Sequence, residues 1–386
     1  MKPLVFLGSG ISKPSGLPDV SKLTHALFEP AWHKHTDERF YPLSEGDNPC
    51  AETRLCQELL RRLMERLTPY YQRHRGTDPN YEDLFFILEQ LEHEELAWEE
   101  NAAIEPFLVE VKNLSRDLCV PPSPVYDDYT FQELASTTKD FIQCVVWRRL
   151  SFNGKPQGLE LLLDLTDLSP TEQLTICTLN HDLLVERLFE SASVPIVDGF
   201  PERNEDLRFF ERSQLQQAST GVVLLKLHGS INWWRMRPDN GDPYDDKIAI
   251  PAKPIRDCHS ESGVRFSELE SHPEFLTGSF NKIVSYGAGI SLALMDEFNR
   301  ALEQHQYVLM SGYGWGDKGI NMRLKNWLWG NRQRKIVLLH EEPEQLRASK
   351  GLWASFEDFV SDGKLVPIRK WLCDTSLNDV RAVMPL

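Results

Sequence analysis

Short apolar runs occur at the start of the chain and again throughout its second half. Each run is too short for a helix and is bounded by glycine, proline or polar residues, a pattern typical of buried strands. The runs cover residues 3–7, 173–178, 194–197, 222–227, 307–311 and 335–340. Amphipathic segments, such as residues 182–190, separate them. Strands that alternate with helices predict a parallel sheet covered by helices on both faces.

Between residues 21 and 170 the apolar positions follow helical spacing instead. Leu55, Leu59 and Leu63, for example, fall on one helix face. The pattern predicts helices at residues 51–67, 81–105, 131–150 and 159–168, with a proline-rich connector at 121–124. We therefore predict an α/β fold: a Rossmann-like domain formed by residues 1–20 and 171–386, with a large, mainly helical insertion at 21–170.

Composition excludes several classes of protein. With 386 residues, of which 41% are hydrophobic, the chain can bury a substantial core. The excess of 58 acidic over 42 basic residues gives a net charge of -16, which disfavours direct binding to nucleic acid. No apolar run reaches the roughly 20 residues of a membrane span and no signal peptide is evident, so we expect a cytoplasmic protein without membrane contact.

The cysteines and acidic clusters do not predict a metal site. Seven cysteines lie far apart without a Cys-x-x-Cys pair, which argues against a zinc ribbon and against a disulfide framework. Cys258, His259 and His272 lack a fourth zinc ligand at a suitable spacing. We expect no bound metal.

A glycine-rich turn follows the first predicted strand. Glycine at such a turn allows backbone amides to approach a pyrophosphate, because no Cβ stands in the way. The segment from Gly8 to Ser12 matches neither the G-x-G-x-x-G fingerprint nor a P-loop. Taken alone, it is equally well interpreted as a plain strand-ending turn.

Four segments together resemble the sirtuin family. Residues 8–19, Gly-Ser-Gly-Ile-Ser-Lys-Pro-Ser-Gly-Leu-Pro-Asp, resemble its pattern Gly-Ala-Gly-x-Ser-x-x-Ser-Gly-Ile-Pro-Asp. Residues 178–182, Thr-Leu-Asn-His-Asp, resemble Thr-Gln-Asn-Ile-Asp, and residues 227–230 resemble the His-Gly motif. Residues 311–317 resemble the Gly-Thr-Ser loop and are closer still to the Gly-Tyr-Ser/Gly-x-x-Asp loop of bacterial sirtuin-like defence proteins. Each segment follows a predicted strand, where open parallel sheets bind ligands.

The resemblance implies an NAD site and a role for each matching residue. Asn180 would contact the nicotinamide ribose, Asp182 the carboxamide, and His228 would be the general base. The remaining NAD-binding residues would be Gly8, Ser9, Gly10 and Ser12 at the pyrophosphate, together with Asp19, Gly312 and Gly314. His228 has an alternative interpretation as a core histidine bonded to a backbone carbonyl, and His181 is either structural or a neighbour of the substrate.

The sequence also departs from the deacylase pattern. The two cysteine pairs of the sirtuin zinc module are missing, Asp19 is followed by Val20 instead of Phe, and Leu179 replaces Gln. These differences argue against deacylation and favour water as the acceptor, so that NAD is the substrate and nicotinamide and ADP-ribose are the products. The resemblance implies NAD depletion in antiphage defence by abortive infection. Activation would come from homo-oligomerisation or a partner such as a HerA-type ATPase.

Two other functions remain open. A silent assembly or sensor subunit would bind NAD or ADP-ribose without cleaving it, and would be indifferent to changes at His228. A transferase would need His228 but would leave ADP-ribose on an acceptor. The choice between NAD and NADP is also open, because the sequence does not identify the residue at the adenine ribose. Glu341 and His340 are the candidates for that position.

Overall fold

The structure is a computed structural model. It describes all residues except 1, 45–47, 93–104, 119–130, 152–154, 170–171, 202–205, 219, 240, 243, 256–257, 259–263, 279–281, 349–355 and 386. The proline-rich connector, residues 93–104 of the helix predicted at 81–105, and His259 lie outside the described residues. In the described part of the chain, no helix combines the length and the apolar character that crossing a membrane would require.

Contacts among Cα atoms divide the chain into two compact units. The first consists of residues 1–17, 151–276 and 282–386, and the second of residues 18–150 and 277–281. The boundaries expected from the sequence, at residues 20 and 170, differ from this division mainly because they assign residues 151–170 to the helical insertion and not to the first unit.

The first unit contains a parallel sheet. In the described residues its strands are β1 (Leu4–Leu7), β4 (Leu174–Thr178), β5 (Ile196–Val197), β7 (Val222–Lys226), β11 (Tyr307–Ser311), β12 (Lys335–Leu339) and β13 (Leu365–Ile368). Their order across the sheet is β13-β12-β11-β1-β4-β7-β5, and every pairing is parallel. The predicted α/β fold with a Rossmann-like parallel sheet is confirmed. Only β13 lacked a prediction.

The apolar runs are continuous because both faces of the sheet are covered. Along β1, Leu4 and Phe6 belong to one hydrophobic cluster, whereas Val5 and Leu7 belong to the cluster on the other face. All four residues are fully buried. A strand buried on both faces has no polar side and therefore shows no alternation.

The helices of the first unit lie between the strands in sequence. In the described residues they are α6 (Glu160–Asp167), α7 (Leu184–Ser191), α8 (Arg212–Gln217), α9 (Lys282–Ser285), α10 (Gly289–Gln304), α11 (Lys318–Gly330), α12 (Phe356–Ser361) and α13 (Leu377–Arg381). The predicted helix at 159–168 is α6 and that at 182–190 is α7.

A second, antiparallel sheet in the first unit was not predicted. Its strands β6 (Leu207–Phe209), β8 (Trp234–Pro238), β9 (Lys247–Pro251) and β10 (Phe266–Glu268) pair in the order β10-β8-β9-β6. Burial alternates along β8, as expected for a sheet with one face toward the core. Strands of three to five residues give too few alternations to be recognised in the sequence.

The second unit is mainly helical. Its described helices are α1 (Val20–Ala26), α2 (Ala51–Arg75), α3 (Tyr81–Glu92), α4 (Glu105–Ser115) and α5 (Phe131–Leu150). Helix α2 continues beyond the predicted end at residue 67, because Tyr71 and Arg75 in its last turns both bond the Asp83 carboxylate on α3. An unpredicted hairpin of β2 (Trp32–Lys34) and β3 (Phe40–Pro42) also lies in this unit.

Candidate functional site

The parallel register brings the loops after four strands to one edge of the sheet. The Gly8 amide donates to the Ser311 carbonyl at 2.9 Å, and the Leu179 amide donates to the Leu7 carbonyl at 3.0 Å. The Leu227 amide donates to the Thr178 carbonyl at 2.9 Å. All four segments that were singled out in the sequence therefore meet at the carboxyl edge of β11, β1, β4 and β7. Strand order reverses between β1 and β11, which is where open α/β sheets form a ligand crevice.

The glycines of the first and fourth segments are required by contact between the two loops. A Cβ on Gly8 would lie 2.6 Å from the Gly312 carbonyl oxygen, and one on Gly10 would lie 2.8 Å from the Gly312 Cα. Gly312 itself has a φ of 69°, and its Cβ would lie 2.6 Å from the Ile11 amide nitrogen. The loops thus pack backbone against backbone, which explains these glycines without reference to a ligand.

The rest of the fourth segment is held rigidly but leaves open space beside Gly314. The buried Trp315 has a φ of 57°, a left-handed conformation that costs a bulky residue about 1–2 kcal/mol. Asn321 fixes this turn, because its amide donates to the Trp315 carbonyl at 2.8 Å and its Oδ1 accepts from the Tyr313 hydroxyl at 2.8 Å. A Cβ on Gly314 would meet no atom within 4 Å.

Three predicted residues form a buried group that we call the Ser12 cluster: Ser12, Asn180 and Asp182. The Ser12 hydroxyl donates to Asp182 Oδ2 at 2.7 Å, and Asn180 Nδ2 donates to the Ser12 Oγ at 3.0 Å. All three residues are at least nine-tenths buried. Among the described residues, nothing donates a hydrogen bond to Asn180 Oδ1. A buried amide oxygen without a donor is costly, so this cluster has unused capacity to bind a polar group.

A buried lysine holds the loop that carries Asn180 and Asp182. Lys226, the last residue of β7, is 2% exposed, and its Nζ donates to the backbone carbonyl of Asp182. It also pairs with Glu186 Oε1 at 2.7 Å. Burial is the main reason that the pKa of Glu186 is raised, although Lys226 opposes the shift. Lys226 thus ties the end of β7 to the loop after β4.

His181 stands between Asn180 and Asp182 in the sequence, and its ring lies near His228. Its ring centroid is 6.2 Å from that of His228 and 4.8 Å from that of Phe275. Desolvation by burial, reinforced by the positive charges nearby, lowers the pKa of His181 well below 6.5, so the ring is neutral at physiological pH. Its Nδ1 is buried and has no partner among the described residues.

A second buried group, which we call the His228 cluster, consists of His228, Tyr286 and Asp317. The Tyr286 Oη is 2.7 Å from His228 Nε2 and 2.6 Å from Asp317 Oδ2, and the latter two atoms are 3.2 Å apart. The side chains of His228 and Asp317 are 5% and 7% exposed. Asp317 Oδ1 accepts from the Ile320 amide at 2.9 Å and so caps α11. Both carboxylate oxygens are therefore bonded.

The environment fixes the protonation of Tyr286 and Asp317. Burial opposes ionisation of Asp317, but the hydrogen bonds that its carboxylate accepts from His228, Tyr286 and the Ile320 amide prevail and lower the pKa of the carboxyl. Burial and the adjacent Asp317 carboxylate raise the pKa of Tyr286. At neutral pH, Asp317 is thus a carboxylate and Tyr286 a phenol.

Gly229 is needed for the turn that presents His228. It has a φ of 79°, and a Cβ at this position would lie 2.5 Å from the Glu274 carbonyl oxygen. The segment that contains Glu274 also bonds His228 itself, because the Leu276 amide donates to the His228 carbonyl at 2.8 Å. The His-Gly pair is therefore a local requirement of the backbone as well as a motif.

The structure places the predicted residues in different environments. Ser12, Asn180, Asp182 and His228 are buried together in the first unit, whereas Ser9 is exposed. Asp19 belongs to the second unit, where its carboxylate accepts from the Lys22 amide at 3.0 Å and caps α1. Binding of NAD by the predicted residues remains a prediction.

Three site residues were missed in the sequence. Asp317 is the last residue of the fourth segment and precedes a helix. That position predicts an N-cap, but it does not predict a bond to His228. Lys226 stands out as a lysine that ends an apolar strand. Tyr286 carries no local signal, because only the fold brings it to His228.

No group of three or more His, Cys, Asp or Glu side chains could hold a metal ion among the residues that the structure describes. Cys258, considered above as a zinc ligand, is buried, and its thiol lies 3.4 Å from the Lys253 carbonyl oxygen.

Comparison with known proteins identifies part of the first unit. Residues 174–357, somewhat less than half of the chain, match the family model described as SIR2-like domain. This part of the chain is therefore similar to a SIR2-like domain, and the Asn180, His228 and Gly312 segments lie within it. The glycine-rich segment at Gly8 lies outside the matched residues. No curated protein sequence matches the chain significantly.

Two solved structures show a distant likeness. One is described as the crystal structure of a SIR2 homologue–NAD complex, with 12% identity and a TM-score of 0.36, covering 98% of this chain and 88% of that chain. The other is described as a mutant of Sir2 homologues in complex with 2'-O-acetyl ADP ribose, with 12% identity and a TM-score of 0.33, covering 99% and 92%. Likenesses at this level establish nothing about the site.

Proposed function

We propose that this protein hydrolyses NAD to nicotinamide and ADP-ribose at the carboxyl edge of β1, β4 and β7. The observation that carries the proposal is the Ser12 cluster, in which three motif residues from two loops are buried and bonded while Asn180 Oδ1 has no donor in the described part of the chain. A histidine bonded to a carboxylate follows the neighbouring strand. The match to the SIR2-like domain supports NAD as the substrate.

Substrate binding would use Asn180 Oδ1, which has no donor among the described residues, together with the other predicted residues. A ribose hydroxyl can donate to Asn180 Oδ1, and the N–H of the nicotinamide carboxamide can donate to the Asp182 carboxylate. The pyrophosphate would lie beside the segment of Gly8, Ser9, Gly10 and Ser12 and near Gly314, whose Cβ position is open. It would not lie between Gly8 or Gly10 and Gly312, because these glycines are in direct contact. Each of these contacts with NAD would replace a hydrogen bond to water with one to a preorganised group of the protein, which favours tight binding in a closed site.

Cleavage breaks the bond between C1′ of the ribose and N1 of nicotinamide. The bonding electron pair moves to N1, whose positive charge is neutralised, and positive charge develops on the ribose. Water attacks C1′ and His228 accepts its proton, which returns to solvent after nicotinamide leaves. General base catalysis of this kind contributes typically 10²–10⁴-fold to a rate.

The cellular setting is also part of the proposal. By the resemblance to bacterial antiphage proteins, the reaction would deplete cytoplasmic NAD during abortive infection. Homo-oligomerisation or a HerA-type ATPase would activate it, since a toxic hydrolase requires control.

Nicotinamide release from NAD by the purified protein tests the proposal. We expect release by the wild type and at least a 100-fold lower rate for Asn180→Ala. A matched control is Tyr71→Phe, which removes a buried tyrosine–aspartate hydrogen bond in the second unit and should leave the rate unchanged. A rate per molecule that rises steeply with protein concentration would support activation by assembly.

Calorimetry and radiolabelling, used beside the nicotinamide assay, distinguish hydrolysis from silent binding and from transfer of ADP-ribose. NAD binding detected by calorimetry without release, even with the co-encoded ATPase added, would favour a silent binding subunit and contradict hydrolysis. Radiolabel from the adenylate of NAD that remains on a macromolecule would favour a transferase. Unimpaired release by Asn180→Ala would overturn the site assignment.

A further inference from the structure

The Tyr286 hydroxyl and the Asp317 carboxylate determine where the proton of His228 resides. Asp317 is ionised and can only accept hydrogen bonds. Tyr286 has one proton, and at 2.6 Å from Asp317 Oδ2 its hydroxyl donates to that carboxylate. The tyrosine oxygen can then only accept at its contact with the imidazole, which is 2.7 Å away.

The contact at Nε2 therefore requires a proton on that nitrogen. Nε2 is 2.7 Å from one acceptor, Tyr286 Oη, and 3.2 Å from another, Asp317 Oδ2. A lone pair on Nε2 would face two oxygens that have no proton to offer it. In a neutral imidazole, a proton on one nitrogen leaves the lone pair on the other.

We propose that Asp317 and Tyr286 are positioning residues that hold His228 as its Nε2–H tautomer, so that Nδ1 is the nitrogen that accepts the proton of the attacking water. The proton on Nε2 follows from the contacts of that nitrogen, whereas the role of Nδ1 in catalysis rests on the proposed function. When Nδ1 takes the proton, the imidazolium that forms keeps its Nε2–H bonded to the Asp317 carboxylate. The buried carboxylate stabilises that positive charge, as in other histidine–aspartate pairs.

Asp317→Asn is the variant that separates tautomer control from support of the fold. Asparagine is as good an N-cap as aspartate, so α11 keeps its cap at Ile320. An amide has two donors, however, and it can present an N–H to Nε2 and move the imidazole proton to Nδ1. Tyr286→Phe is the second variant, because it removes one acceptor and leaves Asp317 within 3.2 Å of Nε2. Tyr71→Phe is again the control.

Side-chain ¹⁵N NMR of histidine-labelled protein reads the tautomer directly, with the His228 signals assigned by their loss in His228→Ala. We expect the Nε2–H form in the wild type, in Tyr286→Phe and in Tyr71→Phe, and a shift toward Nδ1–H in Asp317→Asn. Nicotinamide release should fall about 10²–10⁴-fold in Asp317→Asn with less than a threefold change in the KM for NAD.

The outcomes are distinguishable from those of the proposed function. A wild-type His228 protonated on Nδ1, or a tautomer unchanged in Asp317→Asn, would overturn the inference. A wild type that shows the Nε2–H form but releases no nicotinamide, even with its partner ATPase, would contradict the proposed hydrolysis and the catalytic role of Nδ1, and would leave the tautomer assignment standing.

Discussion

The Ser12 cluster and the His228 cluster follow neighbouring strands but differ in how completely they are bonded. In the His228 cluster, both oxygens of Asp317 are engaged by Tyr286, His228 and the Ile320 amide. In the Ser12 cluster, Asn180 Oδ1 is buried and receives no hydrogen bond from the residues that the structure describes. A completely bonded group is rigid, whereas an incompletely bonded group pays a desolvation cost that a ligand can relieve. Under the proposed function, this difference indicates that the Ser12 cluster binds the substrate and the His228 cluster holds the general base.

The strongest way to break the Ser12 cluster is to separate the loops that support it. In Gly312→Ala the new Cβ would lie 2.6 Å from the Ile11 amide nitrogen, next to Ser12, at a φ of 69°. We expect a loss of roughly 3 kcal/mol or more in the free energy of unfolding. Gly314→Ala, whose Cβ meets nothing within 4 Å, should change it by less than about 0.5 kcal/mol. Chemical denaturation measures both, and equal losses would contradict the packing argument.

Removal of Asp317 should cost more stability than removal of Asn180. Asp317→Ala deletes a helix cap, leaves the buried Tyr286 hydroxyl without its acceptor and removes one of the two acceptors of His228 Nε2, for an expected loss of roughly 2–4 kcal/mol. Asn180→Ala removes one hydrogen bond and an unsatisfied oxygen, so the loss should stay within about 1 kcal/mol. The test is the unfolding midpoint in urea at neutral pH. A larger loss in Asn180→Ala would reverse the comparison.

The neutral His181 near His228 predicts a smaller, pH-dependent effect. Its pKa is lowered by burial below the 6.5 of an unfolded chain, so the unfolded state binds a proton that the folded state excludes. The contribution of neutral His181 to the free energy of unfolding is therefore complete above about pH 6.5. Below that pH it is lost by up to about 1.4 kcal/mol per pH unit. His181→Gln should lose less stability between pH 7 and 5.5. Parallel pH profiles for the two proteins would contradict this assignment.

The parallel sheet was predictable from the sequence because its strands are buried on both faces. Runs such as Val222–Lys226 are continuously apolar, and glycine or polar residues mark their ends. The antiparallel strands, such as Phe266–Glu268, are short and only partly buried, and their pairing depends on distant parts of the chain. The hairpin of Trp32–Lys34 and Phe40–Pro42 pairs locally, but each strand has only three residues, too few for a recognisable alternation.

The site was predictable where its residues belong to contiguous motifs. Ser12, Asn180 and His228 each stand in a short segment after a strand, and the parallel register brings these segments together. Tyr286 was not predictable, because it contacts His228 across a separation of 58 residues that no local pattern encodes. The sequence also suggested that Gly8 and Gly10 serve a ligand, whereas their contacts show a structural need for glycine at both positions.

The most direct test of the proposed roles of the two clusters compares Asn180→Ala and His228→Ala in two assays, NAD affinity by calorimetry and nicotinamide release. We predict that His228→Ala binds NAD within about threefold of the wild type but releases nicotinamide about 10²–10⁴-fold more slowly. Asn180→Ala should bind NAD up to about tenfold more weakly as well as losing release. Wild-type release by His228→Ala, or a loss of NAD binding as large as its loss of release, would contradict the claim that the two clusters divide binding and catalysis.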